Sequence, residues 1–173
     1  MIKRSIWKGA AKAALALMAL SMAFIGSILI WQGTAHAGQP FTGKVVGIAD
    51  GDTLTVLTDN TQHKIRLAEI DSPEKKQAFG ERAKQSLSDL CFNAEAVVLP
   101  ATIDRYGRTI ARVRCGGIDA SLHQVQLGLA WAYTKYLTDP AIAAAEQAAR
   151  NAGAGLWADP GPTPPWLYRK GQK

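Results

Sequence analysis

The chain has 173 residues, 47% of them hydrophobic, and a net charge of +6. The basic excess is uneven: residues 1–37 carry Lys3, Arg4, Lys8 and Lys12 and no acid, while the remainder holds 16 cations against 14 acids, a net of +2. Charge alone therefore gives no argument for a nucleic-acid partner, and the 136 residues after Ala37 suffice for one domain with one core.

Residues 1–37 read as a secretory signal. A basic start precedes the apolar run Ala13 to Trp31, and Ala35-His36-Ala37 forms a small-x-small cleavage site with Gly38 as the mature start. The apolar run is just long enough to span a bilayer. An uncleaved anchor is thus the alternative, against which the Ala-His-Ala site argues. The expected location is secreted or periplasmic; with an uncleaved signal, the domain is membrane-anchored outside the cytoplasm. Export gives the two cysteines meaning, because an oxidising compartment permits a disulfide. A Cys91–Cys115 bridge is expected, with two separate buried thiols as the alternative.

After Gly38 the pattern is short and mixed. Phe41 to Ile48 is valine-rich and reads as a strand. Asp50-Gly51-Asp52 turns the chain, Thr53 to Leu57 is a second strand, and Thr58-Asp59-Asn60-Thr61 is a polar hairpin loop. His63 to Ile70 is a third strand, ended by Ser72-Pro73 because proline cannot donate to a ladder. Lys75 to Gly80 is a polar loop. Glu81 to Phe92 reads as a helix, with Ala83, Leu87, Leu90 and Cys91 near a 3–4 spacing. Val97 to Leu99 and Thr109 to Arg114 are expected as strands about the turn Asp104-Arg105-Tyr106-Gly107-Arg108. Ala120 to Gly128 is a helix ended by glycine. Ala141 to Ala152 is an alanine-rich helix begun by Asp139-Pro140. From Asp159 the tail holds Pro160, Pro162, Pro164 and Pro165 and is expected to be extended, with Trp157 or Trp166 packing on the body.

Three antiparallel strands cannot shelter a core alone, so they must curl onto the two later ones. The expected class is α+β: a five-stranded barrel of the oligonucleotide-binding (OB-fold) type with about three packed helices. The expected division is a signal over 1–37, the barrel domain over 38–158 and a proline-rich tail over 159–173.

Four places carry candidate chemistry. Asp50-Gly51-Asp52-Thr53 sets two carboxylates beside a glycine. Arg66 lies on the third strand, and arginine's planar fork fits phosphate oxygens. Asp71 and Glu74 follow at its end, where carboxylates bind hard cations or take protons from water. Arg108 leaves the turn at 104–108. If the second and third strands pair, Asp52 and Asp71 lie at the same end of the hairpin and can share a cation. Oxygen-only ligands suit calcium or magnesium rather than zinc. His63 and His123 are isolated, with surface or helix-face positions expected. A surface ion pair at a strand end is the bland alternative for the Arg66 stretch.

The pieces Asp50-Gly51-Asp52-Thr53, Arg66-Leu67 through Asp71-Ser72-Pro73-Glu74, and Asp104-Arg105-Tyr106-Gly107-Arg108 resemble the staphylococcal (micrococcal) nuclease family, the thermonucleases. The resemblance runs from about Phe41 to Trp157 and includes Gly128-Leu129-Ala130-Trp131-Ala132-Tyr133 and Gly155-Leu156-Trp157. It implies a calcium-dependent phosphodiesterase that cuts DNA and RNA and leaves 3′-phosphates. It implies Asp52, Asp71 and the main-chain carbonyl of Ser72 as calcium ligands, Glu74 as general base, and Arg66 and Arg108 as catalytic arginines. Arg105 and Tyr106 match a cation and an aromatic that contact a neighbouring phosphate. Tyr133 matches a base-pocket tyrosine, although it stands one residue nearer Gly128 than the family pattern has it, and Tyr136 could share the role. Glu69 replaces an apolar residue and is expected as a rim salt-bridge partner, the alternative being an extra charge near the site.

Recognition through phosphate and stacking tolerates any sequence. No stable protein partner is implied, a monomer is expected, and a membrane enters only if the signal stays uncleaved. A non-catalytic nucleic-acid-binding barrel is the second reading. The joint presence of Asp52, Asp71, Glu74, Arg66 and Arg108 argues for the enzyme.

Overall fold

Alternating apolar residues in the first half of the domain fold into a closed barrel. A computed structural model describes residues 38–171 of the chain. The expected signal, its apolar run and Ala35-His36-Ala37 lie outside the described residues. Among those described, no helix is long and apolar enough to cross a membrane.

Five strands close the barrel: β1 (Phe41–Ile48), β2 (Thr53–Thr58), β3 (Thr61–Leu67), β5 (Glu95–Ile103) and β6 (Thr109–Cys115). Their order is β3-β2-β1-β5-β6, and a parallel pairing of β3 with β6 completes the circle. Strand β1 makes this possible by bending. Its first half pairs with β5 and its second half with β2, and Lys44 is opposite both Leu57 and Glu95. A register shift between Val45 and Gly47 marks the bend, as bulges do where a sheet curls. Val45, Leu54, Val56, Ile65, Leu67, Val98 and Val113 point inward and are fully buried, the alternation a half-wet sheet requires. The α+β barrel class of the OB type is therefore the observed one.

Helix α1 (Gly80–Cys91) turns Ala83, Leu87 and Cys91 inward. The disulfide Cys91–Cys115 joins its last residue to the end of β6, with Cα atoms 5.3 Å apart. Helix α2 (Ala120–Gln126) is capped by the Asp119 carboxylate, which accepts from the Leu122 amide. Helix α3 (Pro140–Asn151) is capped by Asp139 and starts with a proline. A single 3₁₀ turn (Gly155–Ala158) and α4 (Pro165–Gly171) follow.

Several boundaries differ from the sequence reading. The hairpin loop shrinks to Asp59-Asn60, both at positive φ, with Thr58 paired to Thr61; this geometry matches the right-handed twist of the strands. The third strand stops at Leu67 and resumes as β4 (Ile70–Asp71), because Glu69 takes φ +67. Strand β4 pairs with β8 (Trp131–Ala132) instead of continuing the barrel. Strand β5 is nine residues long rather than three, since β6 offers partners along its length. Strand β7 (Ile118–Asp119) folds back on β6. The tail is not wholly extended: Pro165 opens α4, consistent with the tolerance for proline in a first turn. Trp157 and Trp166 both pack against Trp131, with ring centroids 4.4 and 5.6 Å away.

Candidate active site

The β2–β3 hairpin brings the first three charges together. Thr53 is paired with Arg66 across the ladder, and the Leu67 amide donates to the Asp52 carbonyl. Asp52 thus enters the hairpin beside the exit of β3, and the break at Ala68-Glu69 folds Asp71 back onto the same spot. Arg66 reaches both acids. Its Nη1 lies 2.9 Å from Asp52 Oδ1 and its Nη2 lies 2.7 Å from Asp71 Oδ1. Asp52 also accepts from Thr53 Oγ1 and, on its other oxygen, from the Ser72 amide, each at 2.9 Å.

Burial governs the electrostatics here. Asp52 and Asp71 are 3% and 0% exposed. Burial pushes the Asp52 carboxyl up to about 7, Arg66 and the Ser72 amide only partly opposing it while Asp50 and Asp71 add to it. Burial pulls in the other direction on Arg66, but Asp52 and Asp71 outweigh it and hold the guanidinium above its ordinary pKa. Arg66 is therefore a fixed cation between two acids. The bland reading, a surface ion pair, fails because one partner is wholly buried.

The frame around these charges is tightly fitted. Gln124, fully buried on α2, donates from Nε2 to the carbonyls of Gly51 and Ala83, at 2.7 and 2.8 Å. It ties the loop before Asp52 to α1. A Cβ on Gly51 would sit 2.5 Å from Ala83 Cβ and 2.9 Å from the Ser72 side chain, so only glycine fits. The sequence reading gives Gln124 no role; it shares the buried side of α2 with Ala120, Ser121 and Val125.

Glu74 stands at the mouth, its side chain 38% exposed. Its carbonyl accepts from the Gln77 amide, and its own amide donates to Gln77 Oε1. The start of α1 lies against that carbonyl, where a side chain at Gly80 would collide with it.

Arg108 arrives from the other side. Asp104 accepts from its backbone amide, from Nε at 2.8 Å and from Nη2 at 2.7 Å. Its Nη1 is 3.5 Å from Thr53 Oγ1, the same hydroxyl that bonds Asp52. Arg108 therefore sits one hydroxyl away from the Asp52–Arg66 pair. Arg105 and Tyr106 occupy the tip of the turn, the guanidinium 4.8 Å over the ring, with Tyr106 68% exposed.

Tyr133 lies on the far rim, positioned by its amide donating to the Glu69 carbonyl. It packs edge-on against Tyr136, 5.2 Å between centroids. Glu69 is a rim latch rather than an extra site charge. Its carboxylate accepts from Thr138 Oγ1 at 2.6 Å and from the Thr138 and Asp139 amides, and Arg112 pairs with it at 3.4 Å. His63 packs on Phe41 outside the site, and His123 lies on α2.

Two residues at the site come from the tail; Trp166 is expected from sequence to pack on the body, but neither it nor Arg169 is expected at the site. Arg169 Nη1 is 2.6 Å from Glu74 Oε1, and its Nη2 is 2.7 Å from Asp71 Oδ2. Trp166 stacks on Tyr133, 5.6 Å between centroids and 14° between planes. Nothing in the local sequence of a proline-rich tail signals such contacts.

The arrangement combines a buried acidic pair, an exposed carboxylate and converging guanidinium groups. That is equipment for holding a cation and a phosphate together. Among the described residues no three His, Cys, Asp or Glu side chains converge as a metal cluster, so a cation here would also use main-chain oxygen.

Comparison with known proteins agrees with this reading. A family model described as staphylococcal nuclease homologue matches residues 64–159. A Haemophilus influenzae protein named as an uncharacterized endonuclease is 46% identical over 141 residues, covering 81% of this chain and 79% of its own. A protein of Shigella flexneri named micrococcal nuclease is 40% identical over 174 residues, covering 94% of this chain and 96% of its own. The Escherichia coli protein ParB is 40% identical over 141 residues, covering 74% and 78%.

Proposed function

The chain belongs to the staphylococcal nuclease family and is a phosphodiester-cleaving endonuclease; from that premise we propose that it is exported, uses calcium, and cuts DNA and RNA to leave 3′-phosphates. The observation that carries the site assignment is the Arg66 fork spanning Asp52 and Asp71, with Glu74 three residues beyond. Export is supported by the signal-like residues 1–37 and by the Cys91–Cys115 bridge, which belongs in an oxidising compartment.

The residues fit a hard cation. Asp52, Asp71 and the main chain of Ser72, whose amide already touches Asp52, form an all-oxygen set. Ser72 Oγ is buried beside them without a hydrogen-bond partner among the described residues. Calcium bound there supplies positive charge to the phosphoryl oxygens.

The chain's own groups do the rest. Arg66 is kept charged by its two acids and cannot drift, so it presents a fixed positive field where negative charge builds on the reacting phosphoryl group. Arg108, aimed by Asp104, adds a second cation from the opposite side. Glu74 is reachable from solvent and is positioned by Gln77, so it can orient a water and take its proton. Arg105 and Tyr106 grip a neighbouring phosphate, and Tyr133 offers a face for a base; neither contact reads sequence.

The test is cleavage of plasmid DNA and of single-stranded RNA by the mature chain, with calcium and then with a chelator. Cleavage that needs calcium, and is lost in Glu74→Gln while oligonucleotide binding persists, is the expected result. Oligonucleotide binding without calcium-dependent cleavage would leave a binding barrel instead.

A further inference from the structure

We propose that residues 159–171 are an autoinhibitory strap: Arg169 occupies Asp71, a ligand of the proposed cation, together with Glu74, and Trp166 covers the face of Tyr133 where a base would stack. The strap rests on the site assignment above and adds its regulation.

Two independent contacts carry it. The first is ionic. One guanidinium bridges Asp71 and Glu74, with Nη1 on Glu74 Oε1 at 2.6 Å and on Asp71 Oδ1 at 3.2 Å, and Nη2 on Asp71 Oδ2 at 2.7 Å. Both Asp71 oxygens are then taken, Oδ1 being shared with Arg66. A carboxylate so engaged keeps a single lone-pair site, on Oδ2, for a metal, and the guanidinium occupies Oε1, one of the two oxygens with which Glu74 can hold a water. The second contact is aromatic. Trp166 is parallel to Tyr133 and edge-on to Trp131. Stacking is how an aromatic platform holds a base, so tryptophan and nucleotide compete for one surface.

The strap is built to leave. Within α4 only Pro165 is buried, and the Arg169 side chain is 42% exposed. Its anchors outside the site are few. Gln77, the residue that positions Glu74, donates from Nε2 to the Thr163 carbonyl, and a cleft remains between Pro73, Gln77, Trp131 and Tyr168. A polyanionic substrate draws the guanidinium off the carboxylates while a divalent cation takes its place. Each ligand removes one of the two contacts, so the two should bind cooperatively.

The experiment uses the full mature chain with Arg169→Ala, Arg169→Lys and Trp166→Ala. Calcium alone is titrated by calorimetry, and oligothymidylate cleavage gives KM and kcat. Arg169→Ala should bind calcium about 2- to 5-fold more tightly, the range for a half-exposed charge pair released from competition. Arg169→Lys should fall between it and the parent. Trp166→Ala should lower KM by a similar factor and tighten calcium binding by less than Arg169→Ala does, as the coupling requires. A fall in kcat with unaltered calcium affinity in Arg169→Ala overturns the strap and makes Arg169 a catalytic residue. Parental values in both alanine variants overturn it as well. A parent chain that cleaves with calcium keeps the nuclease reading intact in either case; a parent that neither binds calcium nor cleaves overturns both.

Discussion

The two arginines assigned to the reacting phosphoryl group, Arg66 and Arg108, are built in opposite ways. Arg66 is embedded: its fork lies between two buried acids, and the loop before Asp52 is clamped by Gln124. Arg108 rises from a turn, half-buried like its partner Asp104, with Arg105 and Tyr106 stacked beside it in solvent. The difference teaches that one arginine is part of the fold's internal charge balance and the other is an attachment to it. Both can act on a phosphoryl group, but removing them should cost different things.

Paired alanine substitutions give the largest expected effects and test that contrast directly. Arg66→Ala leaves Asp52 and Asp71 buried without their shared partner, a loss of roughly 3–5 kcal/mol in stability. Arg108→Ala breaks a partly exposed pair and should cost about 1 kcal/mol or less. Both should lower kcat by roughly 10²–10³-fold. Urea unfolding alongside turnover reads the two axes; equal stability losses would erase the distinction.

Removing the disulfide comes next. The bridge closes a separation of 24 residues between α1 and β6, worth about 3 kcal/mol in the chain-entropy model. Because it holds α1, and through α1 the frame of Asp52, reduction should lower the urea midpoint sharply. Turnover measured well below that midpoint should change little, which would place the bridge outside the chemistry.

Gly80→Ala probes the second carboxylate group. Its Cβ would collide with the Glu74 carbonyl, so the loop must shift, at roughly 1–3 kcal/mol. Activity should fall more than calcium affinity, since Asp52 and Asp71 lie on the hairpin side of the loop. A matched loss in both would mean that the loop and the hairpin move as one body.

The smallest effect is expected from Asp104→Asn. It keeps an acceptor for the turn amides but removes the charge facing Arg108. Stability should change by about 1 kcal/mol or less, and turnover should drop less than tenfold. Oligonucleotide cleavage at two salt concentrations checks it, because a loosened arginine should become more sensitive to screening.

Much of the hairpin site was legible because its parts are close along the chain. A short polar loop at 58–61 sets the register, and register places Asp52 beside the end of β3. Two features there differ from the sequence reading: the loop narrows to Asp59-Asn60, and the strand after it is not continuous. The strand was expected to run to Ile70, but Glu69 turns the chain at positive φ because its carboxylate is held by Thr138 and Asp139, some 70 residues on. No local propensity contains that partner.

Residue chemistry, periodicity and turn signals by themselves pointed to the barrel class and to the acids and arginines of the site; the family resemblance supplied the nuclease reading, and the cysteine count allowed a bridge without fixing it. Tertiary structure alone decided which of those charges are buried, how Gln124 and Gly80 hold the loops that carry them, and that a tail expected to be extended forms a helix over the site. The physical reason is the range of the interactions: strand pairing across a tight turn is written in neighbouring residues, whereas Arg169 meets Glu74 and Asp71 across 95 and 98 positions. A contact of that span exists only after the barrel has closed and the aromatic cluster of Trp131, Tyr133 and Trp166 has brought the tail back to it.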